Sequence, residues 1–452
     1  MSTIANTSPS SSQTKAQIFY LTLGCAKNEV DTDRMRSLLQ KADFVDAHSV
    51  EEADLVLINT CSFLESATSE SIEATLDIAE QVESGVSLKP IVMCGCVPSR
   101  YSGDLEQELP EVAAFVPVEQ EDGIVGVVEG LLNLNDNTDQ PMCGPYRTIE
   151  GASAYVKISD GCNRNCTFCA IPNIRGRYYS RTYEEIASEV QLLVEGGVRE
   201  IVLVGQDTGV WGRDLKPRRS LAWLVRSLAE IVRPYDVWLR ILYLQPEGMT
   251  DELIDAFREV DELVPYIDIP IQHCSERILK LMGRRGNPQE LAQLFSRLRD
   301  EIPGMVLRTT AMAGFPSETE EEFRELCEFV RKQSFDYCSV FAYSAEDGTK
   351  AALLDAQIDE QTKLERTQEL LDIAEQSGFA ATAAHVGELV DVIIDGVEES
   401  SEGLELVGHT WFQAPDSDGA LHIEQGEAAV GDKLRCRVVD AFCYELVGIV
   451  TD

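Results

Sequence analysis

Asp160-Gly-Cys162-Asn-Arg-Asn-Cys166-Thr-Phe-Cys169 places three thiols at spacings of four and three residues. Short spacings keep the thiols on one compact loop. Such a loop can wrap one metal centre, and thiolates select zinc or iron–sulfur. Three ligands leave one corner of a tetrahedral or cuboidal site open for water, substrate or cofactor. Structural zinc sites are closed, so the open corner points to catalysis. The competing reading is a zinc loop or three idle core thiols; close cysteines in a reduced chain more often bind metal.

The rest of the chain sets the frame. Its 452 residues exceed one ordinary core and imply two to four domains. Met1 to Ala16 is polar and Ser/Thr-rich, with no apolar run of signal-peptide length, and reads as a disordered leader. No run approaches the roughly 18 apolar residues of a membrane span, so no membrane is expected. The 13 cysteines are an odd count in a long chain, which implies a cytoplasmic, reduced protein with metal sites. The net charge of −40 repels phosphate backbones and attracts a basic protein. General solubility or a high-salt setting explains it equally well, because acid is spread along the whole chain.

Residues 17–146 alternate strand and helix patterns. Ile18–Leu23, Asp54–Ile58 and Pro90–Met93 read as strands, with helices over Val30–Leu39 and Glu65–Val82. That order predicts a parallel α/β sheet. There is no strong GxGxxG run, so dinucleotide binding is not supported. Cys25, Cys61 and Cys96 each follow one of these strands. In a parallel sheet all strand carboxyl ends share one edge, where ligand sites form, so three distant thiols converge there. Buried structural cysteine is the alternative for each one alone. Cys94, two residues before Cys96, points to the opposite face if the strand continues.

Residues 147–378 carry six strand-like runs: Tyr155–Ile158, Glu200–Val204, Trp238–Tyr243, Tyr266–Pro270, Met305–Thr310 and Tyr337–Phe341. Helical stretches at Leu221–Ile231, Glu252–Val260, Gln289–Ile302 and Glu320–Gln333 separate them. The pattern predicts a partial (β/α)6 barrel with its chemistry at the carboxyl-end mouth. Cys274, Cys327 and Cys338 lack metal spacing and read as packing residues; His273 receives no role. Residues 379–452 change character. Short strands at Leu389–Ile394, Leu404–Phe412, Leu421–Ile423, Lys433–Val439 and Glu445–Val450, with a turn at Asp395-Gly396, predict a small antiparallel β-barrel.

These motifs resemble known families. The cysteine loop, with Phe168 before its last thiol, resembles the radical S-adenosylmethionine (SAM) enzymes. There the three cysteines hold a 4Fe-4S cluster, and SAM at the free iron is cleaved to a 5'-deoxyadenosyl radical. That resemblance implies cluster ligands Cys162, Cys166 and Cys169. It also implies SAM contacts at Gly205 and Gln206, and at Gly314 and Pro316 in Gly314-Phe-Pro316. Arg175-Gly-Arg177 and Ser180-Arg181 match a run of basic residues in that family. Gly24-Cys-Ala-Lys-Asn28-x-Val-Asp31, Asn59-Thr-Cys61 and Gly95-Cys96-x-x-x-Arg100 resemble the N-terminal domain of the methylthiotransferases. The implied ligands of a second 4Fe-4S cluster are Cys25, Cys61 and Cys96. The last segment resembles the TRAM domain, an OB-like module that usually binds RNA.

Two branches of that family differ in substrate, one a tRNA adenosine and the other, the RimO type, an aspartate of small-subunit ribosomal protein 12. Residues 386–452 hold 15 acidic and 3 basic residues, a net of −12 (3 − 15). So few cations suit RNA poorly and suit a basic ribosomal protein well, so tRNA is unlikely on charge grounds. Ala414-Pro415-Asp416-Ser-Asp418-Gly419 also resembles the protein-modifying branch, with Ser417 replacing a commoner apolar residue. The resemblance therefore implies an aspartate methylthiotransferase with two 4Fe-4S clusters, SAM as radical source and methyl donor, an electron donor, and a terminal barrel that docks the protein substrate. The tRNA branch is the alternative, and a non-catalytic metal-cluster scaffold on the ribosome is a third reading.

Overall fold

Strands covered on both faces must be apolar throughout, and the runs singled out above become the interiors of two parallel sheets. The computed structural model describes residues 15–85, 88–101, 103, 105–134, 147–400, 403–424 and 427–451. Nearly all of the expected leader, the boundary at residue 146 and Cys143 lie outside the described residues.

The first sheet consists of β1 (Gln17–Thr22), β2 (Val45–Asp46), β3 (Leu55–Thr60), β4 (Ile91–Gly95) and β5 (Ala114–Pro117). They lie in the order β2-β1-β3-β4-β5, all parallel. Every residue of β3 and β4 is buried. The edge strands β2 and β5 are too short to show in the sequence pattern. Cys94 packs among Ile18, Leu57 and Val116 in the core on one face of this sheet, away from Cys96.

The second sheet consists of β6 (Ser153–Lys157), β7 (Glu200–Val204), β8 (Trp238–Ile241), β9 (Leu263–Asp268), β10 (Val306–Ala313) and β11 (Tyr337–Ala342), paired in chain order. All five pairings are parallel and the two ends do not close. Helices such as Tyr183–Glu195, Asp251–Glu259 and Glu320–Gln333 start where Thr182, Thr250 and Thr319 accept a backbone N–H from three residues on, the bond that satisfies an otherwise orphaned donor. Alternation along the strands divides the faces. Val156, Ile201, Leu203, Ile241 and Ile267 pack under these helices. Tyr155, Val202, Val204, Tyr266 and Tyr337 face the other way and pack with Val390, Phe412 and Ala414 of the last segment.

That segment is a closed barrel of β12 (Leu389–Ser400), β13 (Gly403–Thr410), β14 (Leu421–Ile423), β15 (Lys433–Ala441) and β16 (Leu446–Val450), in the order β12-β13-β14-β16-β15. Its pairings are antiparallel except β14 with β16, which run parallel. Asp395-Gly396, expected as a turn, is a bulge: the register slips between Ile394 and Gly396 and the strand continues. An extra residue bends a strand without ending it. The helix before the barrel runs from Glu360 to Ala383. A side chain at Gly378 would put its Cβ 2.1 Å from Tyr444 Cε1. The glycine therefore marks a close approach of a barrel loop, and the expected boundary after residue 378 falls inside a helix.

The barrel is fastened to the second sheet through the Ala414–Gly419 stretch. The Tyr155 hydroxyl donates to Pro415 O at 2.7 Å and the Tyr266 hydroxyl to Asp418 Oδ2 at 2.7 Å. Arg308 Nε reaches Asp418 Oδ1 at 3.2 Å. No helix among the described residues is long and apolar enough to cross a membrane.

Candidate active site at two cysteine loops

β1, β3 and β4 are neighbours and parallel, so their carboxyl ends bring Cys25, Cys61 and Cys96 to one edge. Cys25 caps the helix Ala26–Lys41, and Cys96 opens the helix Cys96–Tyr101. Gly24 takes φ +108°, and a Cβ there would sit 2.6 Å from Cys61 Cβ and 3.1 Å from Cys61 Sγ. Only glycine allows the first loop to press against the second thiol. Asn28, fully buried, joins the remaining two. Its Oδ1 lies 4.0 Å from Cys25 Sγ and 3.7 Å from Cys96 Sγ, while its Nδ2 donates to Leu23 O and Thr60 O, each at 2.9 Å.

The central trio sits on the loop after β6. Thr167 N donates to Met282 O at 2.9 Å and Thr167 Oγ1 to Leu281 O at 2.8 Å, which anchors the loop between its second and third thiols. Arg164 Nε donates to Asp207 Oδ2 at 2.6 Å, and Arg164 N approaches Cys162 Sγ at 3.4 Å. A cavity of about 350 Å³ opens beside Cys162, lined also by Arg164, Tyr178 and Asp207.

One buried charge network joins the loops. Arg175 Nη1 pairs with Asp31 Oδ2 at 2.9 Å and with Asp160 Oδ2 at 3.2 Å. Its Nη2 donates to Asn28 Oδ1 at 2.8 Å and lies 3.8 Å from Cys96 Sγ. Lys157 pairs with Asp31 and, at 2.7 Å, with Asp160. Asp31 belongs to the first helix and Asp160 heads the central cysteine loop. Cys96 also packs against Ala170 and Ile174, just past Cys169. On the other side, Glu346 accepts from Arg100 Nη1 at 3.0 Å, Glu65 N at 3.0 Å and Ser344 Oγ at 2.7 Å. The loop after β11 thus clasps the loops that carry Cys61 and Cys96.

Electrostatics separate the thiols. Burial works against ionisation of Cys25, but Lys27 and Arg175 outweigh it and lower its pKa. Burial dominates at Cys96 and Cys169 and pushes each up to about 12, and it raises Cys61, Cys162 and Cys166 as well. Thiols must shed protons to hold a metal, so a metal held by these five would have to displace their protons. Burial also opposes ionisation of Asp160, yet Lys157 and Arg175 hold its carboxyl below the ordinary range.

The expected SAM contacts divide. Gly205 lies against Ser159, and Gln206 Nε2 donates to Asp160 Oδ1 at 2.9 Å, so both adjoin the central loop. Gln206 Oε1, Gln245 Oε1 and Ser159 Oγ are buried without hydrogen-bond partners. Gly314 and Pro316 are buried, and Gly314 abuts Lys363 of the long helix. His273 is buried; its Nδ1 accepts from Ser275 N at 2.9 Å. Cys274, Cys327 and Cys338 are buried, as packing residues should be.

Sequence reasoning missed the linking residues. Asn28, Asp31 and Arg100 stood inside the motifs and Arg175 in the basic run, but without a contact to assign. Glu346 carried no sequence signal. Among the described residues no three His, Cys, Asp or Glu side chains are grouped for a single metal ion. A larger group fits the donor chemistry: two sets of three thiols, the Gly24 close approach, buried cations beside Cys25 and Cys96, and unpartnered amide and hydroxyl oxygens beside the central loop.

Comparison with known proteins adds names. Residues 156–330 match the Radical SAM superfamily, 17–117 the Uncharacterized protein family UPF0004, and 386–450 the TRAM domain. Ribosomal protein uS12 methylthiotransferase RimO of Trichlorobacter lovleyi is 39% identical, covering 96% of this chain and 98% of that one. The protein of the same name from Geobacter sulfurreducens is 38% identical over 97% and 99%. The radical S-adenosylmethionine methyltransferase TsrM of Kitasatospora setae has a TM-score of 0.56 at 13% identity, over 73% of this chain and 75% of that one. That likeness concerns the fold alone.

Proposed function

The chain belongs to the RimO family of ribosomal protein uS12 methylthiotransferases, and from that premise we propose how its own residues divide the reaction. Cys162, Cys166 and Cys169 hold a 4Fe-4S cluster, and Cys25, Cys61 and Cys96 hold a second one. When bound, the central cluster with SAM supplies a radical able to open an unactivated C–H bond, which acid–base side chains cannot do. Gly205 and Gln206 contact SAM, the unpartnered Gln206 Oε1 supplying an acceptor. Gly314 and Pro316 complete the SAM side of the mouth, where Gly314 leaves room for Lys363. Arg175 and Lys157 keep the two cysteine loops in one register through Asp31 and Asp160.

The observation that carries this reading is that strand ends far apart in sequence bring Cys25, Cys61 and Cys96 to one edge, and that the buried Arg175 ties Cys96 to Asp160 at the head of the loop carrying the central trio. A single-cluster enzyme needs no such second trio. The substrate is an aspartate of uS12, at its β-carbon, and an external donor supplies electrons. We divide the chain into a first domain over residues 17–146, a second from residue 147 to the end of the Glu360–Ala383 helix, and the barrel from Leu389 onward. The reconstituted protein, incubated anaerobically with SAM, reductant, sulfide as the sulfur source and either uS12 or tRNA, should add one methylthio group to uS12. Addition to tRNA and none to uS12 would overturn the substrate.

A further inference from the structure

Arg175 is chemically conspicuous because it comes from the central segment and ends at a thiol of the other trio. Its side chain is 2% exposed. One side of its guanidinium fork holds two carboxylates, Asp31 at 2.9 Å and Asp160 at 3.2 Å; the other holds Asn28 Oδ1 at 2.8 Å and faces Cys96 Sγ at 3.8 Å. A planar fork with fixed donors suits such a four-way junction, and a lysine could not reproduce it. Hydrogen bonds to the sulfurs and net charge set the potential of an iron–sulfur centre, and such supporting residues tune the metal they do not touch.

We propose that Arg175 is a positioning residue for the N-terminal cluster: it donates to the Cys96 sulfur and sets that cluster's reduction potential from the domain that binds SAM. The inference rests on the reading of Cys25, Cys61 and Cys96 as cluster ligands. Reduction adds negative charge to the cluster, and the buried guanidinium favours that charge. Asp31 and Asp160 fix the direction of the fork, so the potential of one site depends on the docking of the other. Lys27 also lies near Cys25, but of these two cations only Arg175 is tied to both loops.

The test uses the full chain carrying Cys162→Ala, Cys166→Ala and Cys169→Ala, so that only the N-terminal cluster forms. Iron and sulfide are measured first, and the potential is then read by an EPR-monitored redox titration. About four irons per chain are expected; their absence refutes the ligand reading itself. With the cluster present, Arg175→Met should shift the potential to more negative values, and Arg175→Lys should restore part of the shift. An unchanged potential in a fully loaded Arg175→Met protein overturns the inference. If Arg175→Met does not load, Arg175→Lys decides: a potential equal to the parent's overturns it, and a negative shift supports it.

Discussion

At the residue scale, Asn28 and Glu346 show how much of the site rests on single polar groups. Asn28 satisfies two backbone carbonyls and faces two thiols from a fully buried position. Each buried acceptor left unsatisfied costs about 1–3 kcal/mol. Asn28→Ala should therefore lower the unfolding free energy by about 2–6 kcal/mol and empty the N-terminal site of iron; urea unfolding and iron analysis check both. Glu346 pairs with Arg100 where both side chains are at most 5% exposed. Removing one partner of a buried pair costs about 3–5 kcal/mol, so Glu346→Ala should shift the urea midpoint clearly. Glu259→Ala, which breaks the exposed pair with Arg226, should cost under about 1 kcal/mol and provides the comparison. The six thiols were legible because their positions follow strands or share a short loop. Glu346 was not, because a lone glutamate in a loop has no local pattern and acquires its role only through tertiary contact.

At the scale of elements, long apolar strands were legible and short or irregular ones were not. β7 has the bounds its apolar run predicts. β2 and β5 leave no such run, and Asp395-Gly396 misleads because its turn chemistry is also compatible with a bulge. The seam between β7, β8 and the terminal barrel carries a pH signature. Glu200, fully buried, accepts from Arg240 Nε at 2.7 Å and pairs with His409 Nε2 at 2.7 Å. Burial lowers the His409 pKa, but Glu200 and Asp395 outweigh it and raise it from 6.5 to about 9. A raised folded pKa gives stability that is complete below about 6.5 and lost as pH climbs through 9. Burial opposes ionisation of Glu200, but Arg240 and His409 bring it down to about 2. Its contribution persists above the ordinary carboxylate range and fades as pH falls through about 2. Thermal unfolding should therefore show the barrel loosening between neutral pH and about pH 9, and His409→Gln should flatten that slope. An unchanged slope in the variant would remove His409 from the account.

At the scale of the whole molecule, charge and topology answer different questions. The net charge of −40 says nothing about the fold, but it shapes encounters: attraction to a basic ribosomal protein should weaken as salt rises. Titrating uS12 onto the enzyme at about 50 and 500 mM salt, across which the screening length shortens severalfold, should raise Kd; a salt-independent Kd would assign the acidity to solubility instead. The Ala414–Gly419 stretch, whose sequence resembles the protein-modifying branch, fastens the barrel to the second sheet. The order of domains was legible because each has its own periodicity. Their mutual placement was not, because it depends on Arg175 meeting Asp31 and Glu346 meeting Arg100 across distances that no local pattern records.

The central claim is that two cysteine trios hold two clusters in one chain. Iron and sulfide counted after anaerobic reconstitution test it most directly, in the parent and in two triple variants. The account predicts about eight irons in the parent and about four when either Cys25, Cys61 and Cys96 or Cys162, Cys166 and Cys169 are all changed to alanine. About four irons in the parent, unchanged by removing one of the trios, would contradict it.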